Sequence, residues 1–392
     1  MVFIPENFLS NAVKAFPSSG IGKFFDIKTI KPEAISFGLG EPDFVTPQVL
    51  REAAVRSLAE GKTSYTSSAG VPELRKAIAG YLEESFGVSY DHRDEIIVTV
   101  GGSEAIDIAL RALINPQDEI IIPEPCFVSY KPCAALAGAK VVTVPTGMES
   151  GFKVTAEELE KYLTPRTKAL FINSPSNPTG VAMTKEELLP IADFVKKHNL
   201  LVISDEIYAE LTYDAKHCSI ASFPGMKERT VIISGFSKAF AMTGWRIGYI
   251  CAHPAIIKAI LKIHQYVVMC APMIGQYAAL EGLKSGGVEV ARMTEEYKRR
   301  RAFVVSRFRA MGLPICEPGG AFYAFPCIKE TGLSSEEFCE RLLDEQCVAV
   351  VPGNAFGASG EGFIRCSYAT SMEMLKAGLE RMEIFLRGLK RA

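Results

Sequence analysis

Between about residue 95 and residue 253 the chain alternates short apolar runs with amphipathic ones. The runs "EIIVTV" (95–100), "EIIIP" (119–123), "KVVTVP" (140–145), "KALFIN" (168–173), "LLVISD" (200–205), "TVIIS" (230–234) and "IGYICA" (247–252) predict strands. "SEAIDIALRALI" (103–114) and "KEELLPIADFVKKHN" (185–199) place apolar residues at helical spacing and predict helices. Several strands are apolar throughout rather than at alternate positions. That pattern is expected where helices cover both faces of a mostly parallel sheet, so the predicted fold class is α/β.

After about residue 285 the pattern changes. "GVEVARMTEEYKRRRAFVVSRFRAMG" (287–312) predicts a long charged helix with an apolar stripe of Val290, Met293, Tyr297, Val304 and Phe308. "GGAFYAFP" (319–326), "VAVVPG" (348–353) and "FIRCSYA" (363–369) read as strands, and "SSEEFCERLLDEQ" (334–346) and the last stretch as helices. No repeat, low-complexity tract or Pro/Gly linker separates the halves. The expected organisation is a large α/β domain over 46–285 and a tightly docked, smaller α+β domain over 286–392, with the segment 1–45 joining the smaller one. At 392 residues the chain is long enough to bury two cores.

Composition narrows the function classes. With 43 basic and 45 acidic residues the formal net charge is -2, which gives no bias toward nucleic acid or a membrane surface. The ten cysteines fall singly, with no CxxC pair, and most stand in apolar context. Reduced thiols in a cytoplasmic protein are therefore expected. The opening "MVFIPENFLSNAVKAF" lacks a signal-peptide pattern, and no apolar run reaches membrane-spanning length.

In open α/β sheets ligands gather beyond the carboxyl ends of the strands, so unusual residues there are candidates. "GGSEAI" (101–106) follows a strand and opens a helix, where free amides and glycines can receive a phosphate; an ordinary tight turn fits it too. "GKT" (61–63) fails as a P-loop because position 56 is Arg. "NSPSNPTG" (173–180) is a polar turn in which nothing local distinguishes Asn173 from Asn177. In "VISDEIY" (202–208), Asp205 and Glu206 directly follow an apolar strand, where a carboxylate is costly unless paired; a surface cap is the alternative. "SGFSKAFAMTGWRIGYI" (234–250) sets Lys238 at a strand-to-loop junction, where lost solvation would leave a nucleophilic amine, and follows it with Arg246, suited to phosphate.

As an ordered set these residues resemble the class I aminotransferases, the pyridoxal 5'-phosphate enzymes of fold type I. "SKAFAMTGWRIGY" is similar to their lysine signature. "LGEPDF" (39–44), "YTSSAGVPELR" (65–75), "GGSEAI", "EPCFVSY" (124–130), "SPSNPTG", "SDEIY", "GAFYAF" (320–325), "VVPGNAFG" (350–357) and "FIRCSYA" recur in the family's order over nearly the whole chain. The prokaryotic aspartate and aromatic subgroup is the nearest in pattern. The resemblance implies that Lys238 carries the Schiff base and then moves the proton from substrate Cα, which requires a neutral amine. It implies that Asp205 pairs with the pyridinium nitrogen, that Asn177 and Tyr208 bond the phenolic oxygen, and that Phe127 stacks on the ring where relatives often have Trp. The amides of Gly102, Ser103 and Glu104, with Ser237 and Arg246, would hold the phosphate. Arg365 would grip the substrate α-carboxylate, with Asn177 and Gly40 at the same end. Tyr65 would reach the neighbouring subunit's cofactor, so an obligate homodimer with shared sites is implied.

Two departures bear on these expectations. Position 235 is Gly where some relatives have a phosphate-binding serine, which leaves Ser237 or Ser234 as the substitute. The stretch "YVVMCAPMIGQY" (266–277), where some aspartate-specific relatives place a partner-subunit arginine, contains no Arg or Lys, and points toward aromatic or broad specificity. The expected reaction is reversible transfer of an amino group from an L-amino acid, aspartate or aromatic, to a 2-oxo acid such as 2-oxoglutarate. Alternatives are a carbon–sulfur β-lyase of the same fold and a non-enzymatic cofactor-binding effector domain, for which no N-terminal DNA-binding unit is evident.

Overall fold

The computed structural model describes residues 3–16 and 31–389, so residues 17–30 of the expected N-terminal segment lie outside the described residues. Every strand predicted in the α/β region is present. The strands β2 (Ile96–Thr99), β3 (Glu119–Glu124), β4 (Lys140–Pro145), β5 (Thr167–Asn173), β6 (Leu201–Asp205), β7 (Thr230–Gly235) and β8 (Gly248–Cys251) follow β1 (Ile35–Ser36) in the chain. Seven of them form one sheet in the order β2-β8-β7-β6-β5-β3-β4. Only β8 runs antiparallel to its neighbours.

Alternate strand residues face opposite layers, and both layers are apolar. Ile97, Ile120, Ile122, Phe171, Ile203, Val231 and Ile250 pack with the helices Gly101–Leu113 and Pro254–Val267. Their neighbours Ile121, Leu170, Ile172 and Val202 pack with Lys185–Lys197, while Ile96, Val98 and Ile232 pack with Pro72–Phe86 and Met273–Ser285. This double cover is why the strands do not alternate. Each such side chain contributes about 1.5–3 kcal/mol by burial.

The smaller unit contains β9 (Tyr323–Ala324), β10 (Val348–Ala349), β11 (Val351–Pro352) and β12 (Ile364–Ser367). Two strand expectations are corrected here. "VAVVPG" is not one strand: β10 pairs with β1, and β11 pairs with β12. "GGAFYAFP" shrinks to β9 because Ala321 has φ +56, which interrupts the extended chain. The long helix runs Gly287–Ala310 and buries Met293, Tyr297, Val304 and Phe308, with Val290 partly buried against the larger sheet's core. It also buries Arg300 and Arg301, which pair with Asp43 at 2.8 Å and Asp214 at 2.6 Å. Tyr208, Leu211 and Ala241, from loops beyond the large sheet, share one apolar cluster with Phe308, Phe338 and Leu379, so the two layers of structure are docked through a common core. Among the described residues no helix is long and apolar enough to cross a membrane.

Candidate active site

The carboxyl ends of β5, β6 and β7 converge with the start of the helix Gly101–Leu113 on a cavity of about 430 Å³. Gly40, Gly102, Ser103, Phe127, Asn177, Asp205, Tyr208, Ser237, Lys238, Arg246 and Arg365 all line it. Of the predicted residues, Glu104 and Tyr65 do not.

Lys238 stands just beyond β7, half-buried, with its open side on the cavity. Its Nζ donates to the Gly40 carbonyl at 2.6 Å. Burial lowers its pKa from 10.5 to about 8; Arg365 and Arg246 push the same way, while Glu41 and Asp205 oppose them. The shift moves the amine toward its neutral, nucleophilic form near neutral pH.

Asp205 ends β6 and is buried. Its Oδ2 accepts the Tyr130 hydroxyl at 2.7 Å and its Oδ1 accepts the Ile207 N–H at 3.1 Å. Burial raises its pKa from 3.8 to about 6; those two hydrogen bonds and Lys238 work against the rise, and Glu206 adds to it. Glu206 itself is turned into the protein, accepting from Ser204 and Ser219 and meeting His217 Nε2 at 2.8 Å.

Arg365, 2% exposed, lines the same cavity and donates to Asn177 Oδ1 at 2.9 Å and to Gly38 O at 2.6 Å. Its guanidinium lies over Tyr323 at 4.6 Å and Phe356 at 4.8 Å, and Nε is buried without a partner. Among the described residues no carboxylate pairs with it or with Arg246. A buried cation left unpaired costs several kcal/mol, so the arrangement favours an anionic ligand. Tyr208 and Tyr323 share a hydrogen bond of 2.8 Å between their hydroxyls, and burial raises the pKa of each.

The start of the helix Gly101–Leu113 lies against the Arg246 side chain. Gly101 opens the helix at φ +74, and a Cβ there would stand 2.6 Å from Arg246 Nη2, so glycine lets the guanidinium close on the helix start. Arg246 takes φ +57, unusual for a bulky residue, and donates to Thr243 O at 2.8 Å. Ser237 faces the cavity, whereas Ser234 Oγ is occupied by Glu206 O at 3.3 Å. The Glu104 carboxylate accepts Val100 N–H at 2.5 Å and meets His264 Nδ1 at 2.7 Å, so only its backbone is available to the cradle. Tyr65 is 83% exposed.

The cavity also gathers residues that the sequence left unassigned. Tyr130 lies in "EPCFVSY" and Tyr323 in "GAFYAF", so their motifs were visible and their roles were not. Asn173 bonds Asp205 O at 2.9 Å and accepts Asn177 N–H at 2.9 Å, which separates the two asparagines: Asn173 braces the loop and Asn177 faces Arg365.

The pattern for aminotransferase class I and II matches residues 32–382, and the chain belongs to that family. It is 56% identical over 380 residues to YugH of Bacillus subtilis (strain 168), provisionally named an aminotransferase, covering 97% of this chain and 98% of that one. It is 48% identical over 385 residues to an aspartate aminotransferase of Pyrococcus abyssi, covering 97% and 99%. The structure of an aromatic aminotransferase from Pyrococcus horikoshii OT3 superposes with a TM-score of 0.90 at 48% identity, covering 94% of this chain and 100% of that one. The protein is a pyridoxal-phosphate-dependent aminotransferase of fold type I, acting on amino and 2-oxo acids. The β-lyase and effector-domain alternatives gain no support from these relatives. The residues present fit the cofactor: a partly neutral amine, a buried carboxylate, a glycine-opened cradle closed by Arg246, and an orphaned guanidinium nitrogen on Arg365.

Proposed function

We propose that Lys238 attaches the cofactor and then carries the proton at substrate Cα, with Asp205, Tyr208, Asn177 and Arg365 setting the geometry around it. One observation carries this reading: an amine lowered to about 8 shares one cavity with a buried carboxylate and an unpaired buried guanidinium. Bound pyridoxal 5'-phosphate supplies an aldehyde for the amine and an electron-accepting ring for the bond at Cα. Arg365 binds the α-carboxylate, and Gly40, whose carbonyl holds Lys238 Nζ, borders the same end. Asp205 holds the ring nitrogen protonated. Asn177 and Tyr208 serve the phenolic oxygen, and Phe127 offers a ring face. The amides of Gly102, Ser103 and Glu104, with Ser237 and Arg246, hold the phosphate; the occupied hydroxyl of Ser234 favours Ser237 for this contact.

The donor is an L-amino acid with an aspartate or aromatic side chain, or a broader set, and the acceptor is a 2-oxo acid such as 2-oxoglutarate, exchanged by a ping-pong cycle. The names of the relatives include both donors. An obligate homodimer completes each site with Tyr65 of the partner subunit; the exposure of Tyr65, Tyr266, Val267 and Met269 supports a covered face there. The division into 46–285 and 286–392, with 1–45 joining the smaller domain, is supported by the pairing of β1 with β10. Cytoplasmic residence fits ten cysteines that fall singly along the chain with no CxxC pair.

The experiment loads the protein with pyridoxal 5'-phosphate and adds L-aspartate or L-phenylalanine without an acceptor. One equivalent of the matching 2-oxo acid per site, with no ammonia, is expected, and 2-oxoglutarate should restart release. If neither donor yields its 2-oxo acid, both donor assignments fail.

A further inference from the structure

Tyr130 has no part in the reading above, yet it is the side chain that holds Asp205. Its hydroxyl donates to Oδ2 at 2.7 Å, with Tyr130 2% and Asp205 4% exposed. The tyrosine ring stacks on Phe171 at 4.0 Å and meets Phe127 edge-on at 5.5 Å. Phe171 belongs to β5, beside β6, so the sheet itself fixes where the hydroxyl points.

Among the described residues the Asp205 carboxylate has few close polar neighbours besides Tyr130. Ile207 supplies a backbone N–H to Oδ1; the Glu206 carboxylate raises its pKa and the Lys238 amine lowers it; Tyr208 is a further neighbour. Glu206 spends its own acceptors on Ser204, Ser219 and His217, so it donates nothing to Asp205. Among the described residues Tyr130 is therefore the one side chain that donates a hydrogen bond to this carboxylate. A phenol donating to a carboxylate favours its ionised form and opposes the effect of burial. It also takes up one acceptor site of the carboxylate and leaves others for a donor in the cavity.

We propose that Tyr130 is a positioning residue that acts through Asp205, keeping the carboxylate anionic and aimed so that it meets the protonated ring nitrogen of the cofactor. The proposal rests on the role assigned to Asp205 above. Without the hydroxyl, Asp205 is free to turn and to take up a proton, and its interaction with the ring nitrogen weakens.

The test measures the dissociation constants of pyridoxal 5'-phosphate and of its analogue with carbon in place of the ring nitrogen. Wild type, Tyr130→Phe and Asp205→Ala are compared. Both ligands are read on the same preparation, so a general packing defect cancels in their ratio. Wild type should prefer the natural cofactor. Tyr130→Phe should lose roughly tenfold of that preference while the analogue's own constant stays within about twofold, the size expected for one hydrogen bond to a charged group. Equal weakening of both ligands, or a preference that is unchanged or larger, overturns the proposal. In Asp205→Ala the preference should vanish. If it persists there, the assignment of Asp205 itself is wrong, a result distinct from failure of Tyr130 alone.

Discussion

Replacing Arg365 with methionine separates anion binding from packing. The side chain is buried, donates to Asn177 Oδ1 and Gly38 O, and lies 4.6 Å and 4.8 Å from the rings of Tyr323 and Phe356. Methionine keeps the apolar contact with those rings and has no donor. Two charge-assisted hydrogen bonds to a substrate carboxylate at about 1.5–3 kcal/mol each put the loss at about 3–6 kcal/mol. That is a fall of roughly 10² to 10⁴ in kcat/KM for the accepted amino acid. The assay pairs kcat/KM with the dissociation constant of pyridoxal 5'-phosphate, which should stay within about threefold, since the phosphate and ring are assigned to other residues. Gly38 O and Asn177 Oδ1 lose a partner at about 1–3 kcal/mol each, so a thermal melt checks that the variant remains folded at the assay temperature. A loss in kcat/KM of less than tenfold, or a matching loss of cofactor affinity, would refute the assignment of Arg365 to the substrate carboxylate.

Three other perturbations test separate parts of the site. Lys238 titrates at about 8 in the fold and at 10.5 when free, so between those values the unfolded chain binds more protons and the cofactor-free protein gains stability as pH rises. Lys238→Met should show a smaller gain between pH values of about 8 and 10, and should lack multiple turnover; identical pH dependence in both proteins rejects the depressed pKa. Arg246→Gln should raise the dissociation constant of pyridoxal 5'-phosphate at least about tenfold and leave that of unphosphorylated pyridoxal nearly unchanged. Equal losses for the two would remove Arg246 from the phosphate cradle. Tyr266 is 93% exposed in the single chain, and Tyr266→Asp should convert a sedimenting dimer to monomer with loss of activity; a wild type that sediments as a fully active monomer rejects the shared site.

The strands were legible because both sheet faces are buried and the apolar runs are unbroken; β4 has the bounds its sequence suggests. Shorter pieces were less legible. Ala321 at φ +56 and the change of pairing at Val350 leave no trace in hydrophobicity, since both stretches are apolar throughout. In the long helix an apolar stripe was readable, but Arg300 and Arg301 look like solvated charges until Asp43 and Asp214 arrive from elsewhere in the chain. The site residues stood out through motifs, and the missed ones depend on distant partners. Tyr130 finds Asp205 75 residues away, and Tyr323 finds Tyr208 115 residues away. Those hydrogen bonds exist only once the strand ends are brought together.

The distribution of buried charge explains why the chemistry concentrates in one cavity. Arg300 and Arg301 each have a carboxylate, Glu206 has His217 and two serines, and Arg75 is held by the carbonyls of His92 and Arg93. Arg365, whose Nε is unsatisfied like those of Arg75 and Arg301, differs in bordering an open cavity, and Lys238 faces the same space with a carbonyl as its hydrogen-bond partner. Folding has therefore placed two poorly compensated cations at one point, an arrangement unfavourable for the empty protein and relieved by anions. Binding of cofactor and carboxylate substrate should accordingly stabilise the fold by mass action, about 2.7 kcal/mol at a ligand concentration one hundred times its dissociation constant. Burial, aided by Arg365 and Arg246, lowers the amine's pKa, and anions entering the cavity offset the charge of the same two arginines.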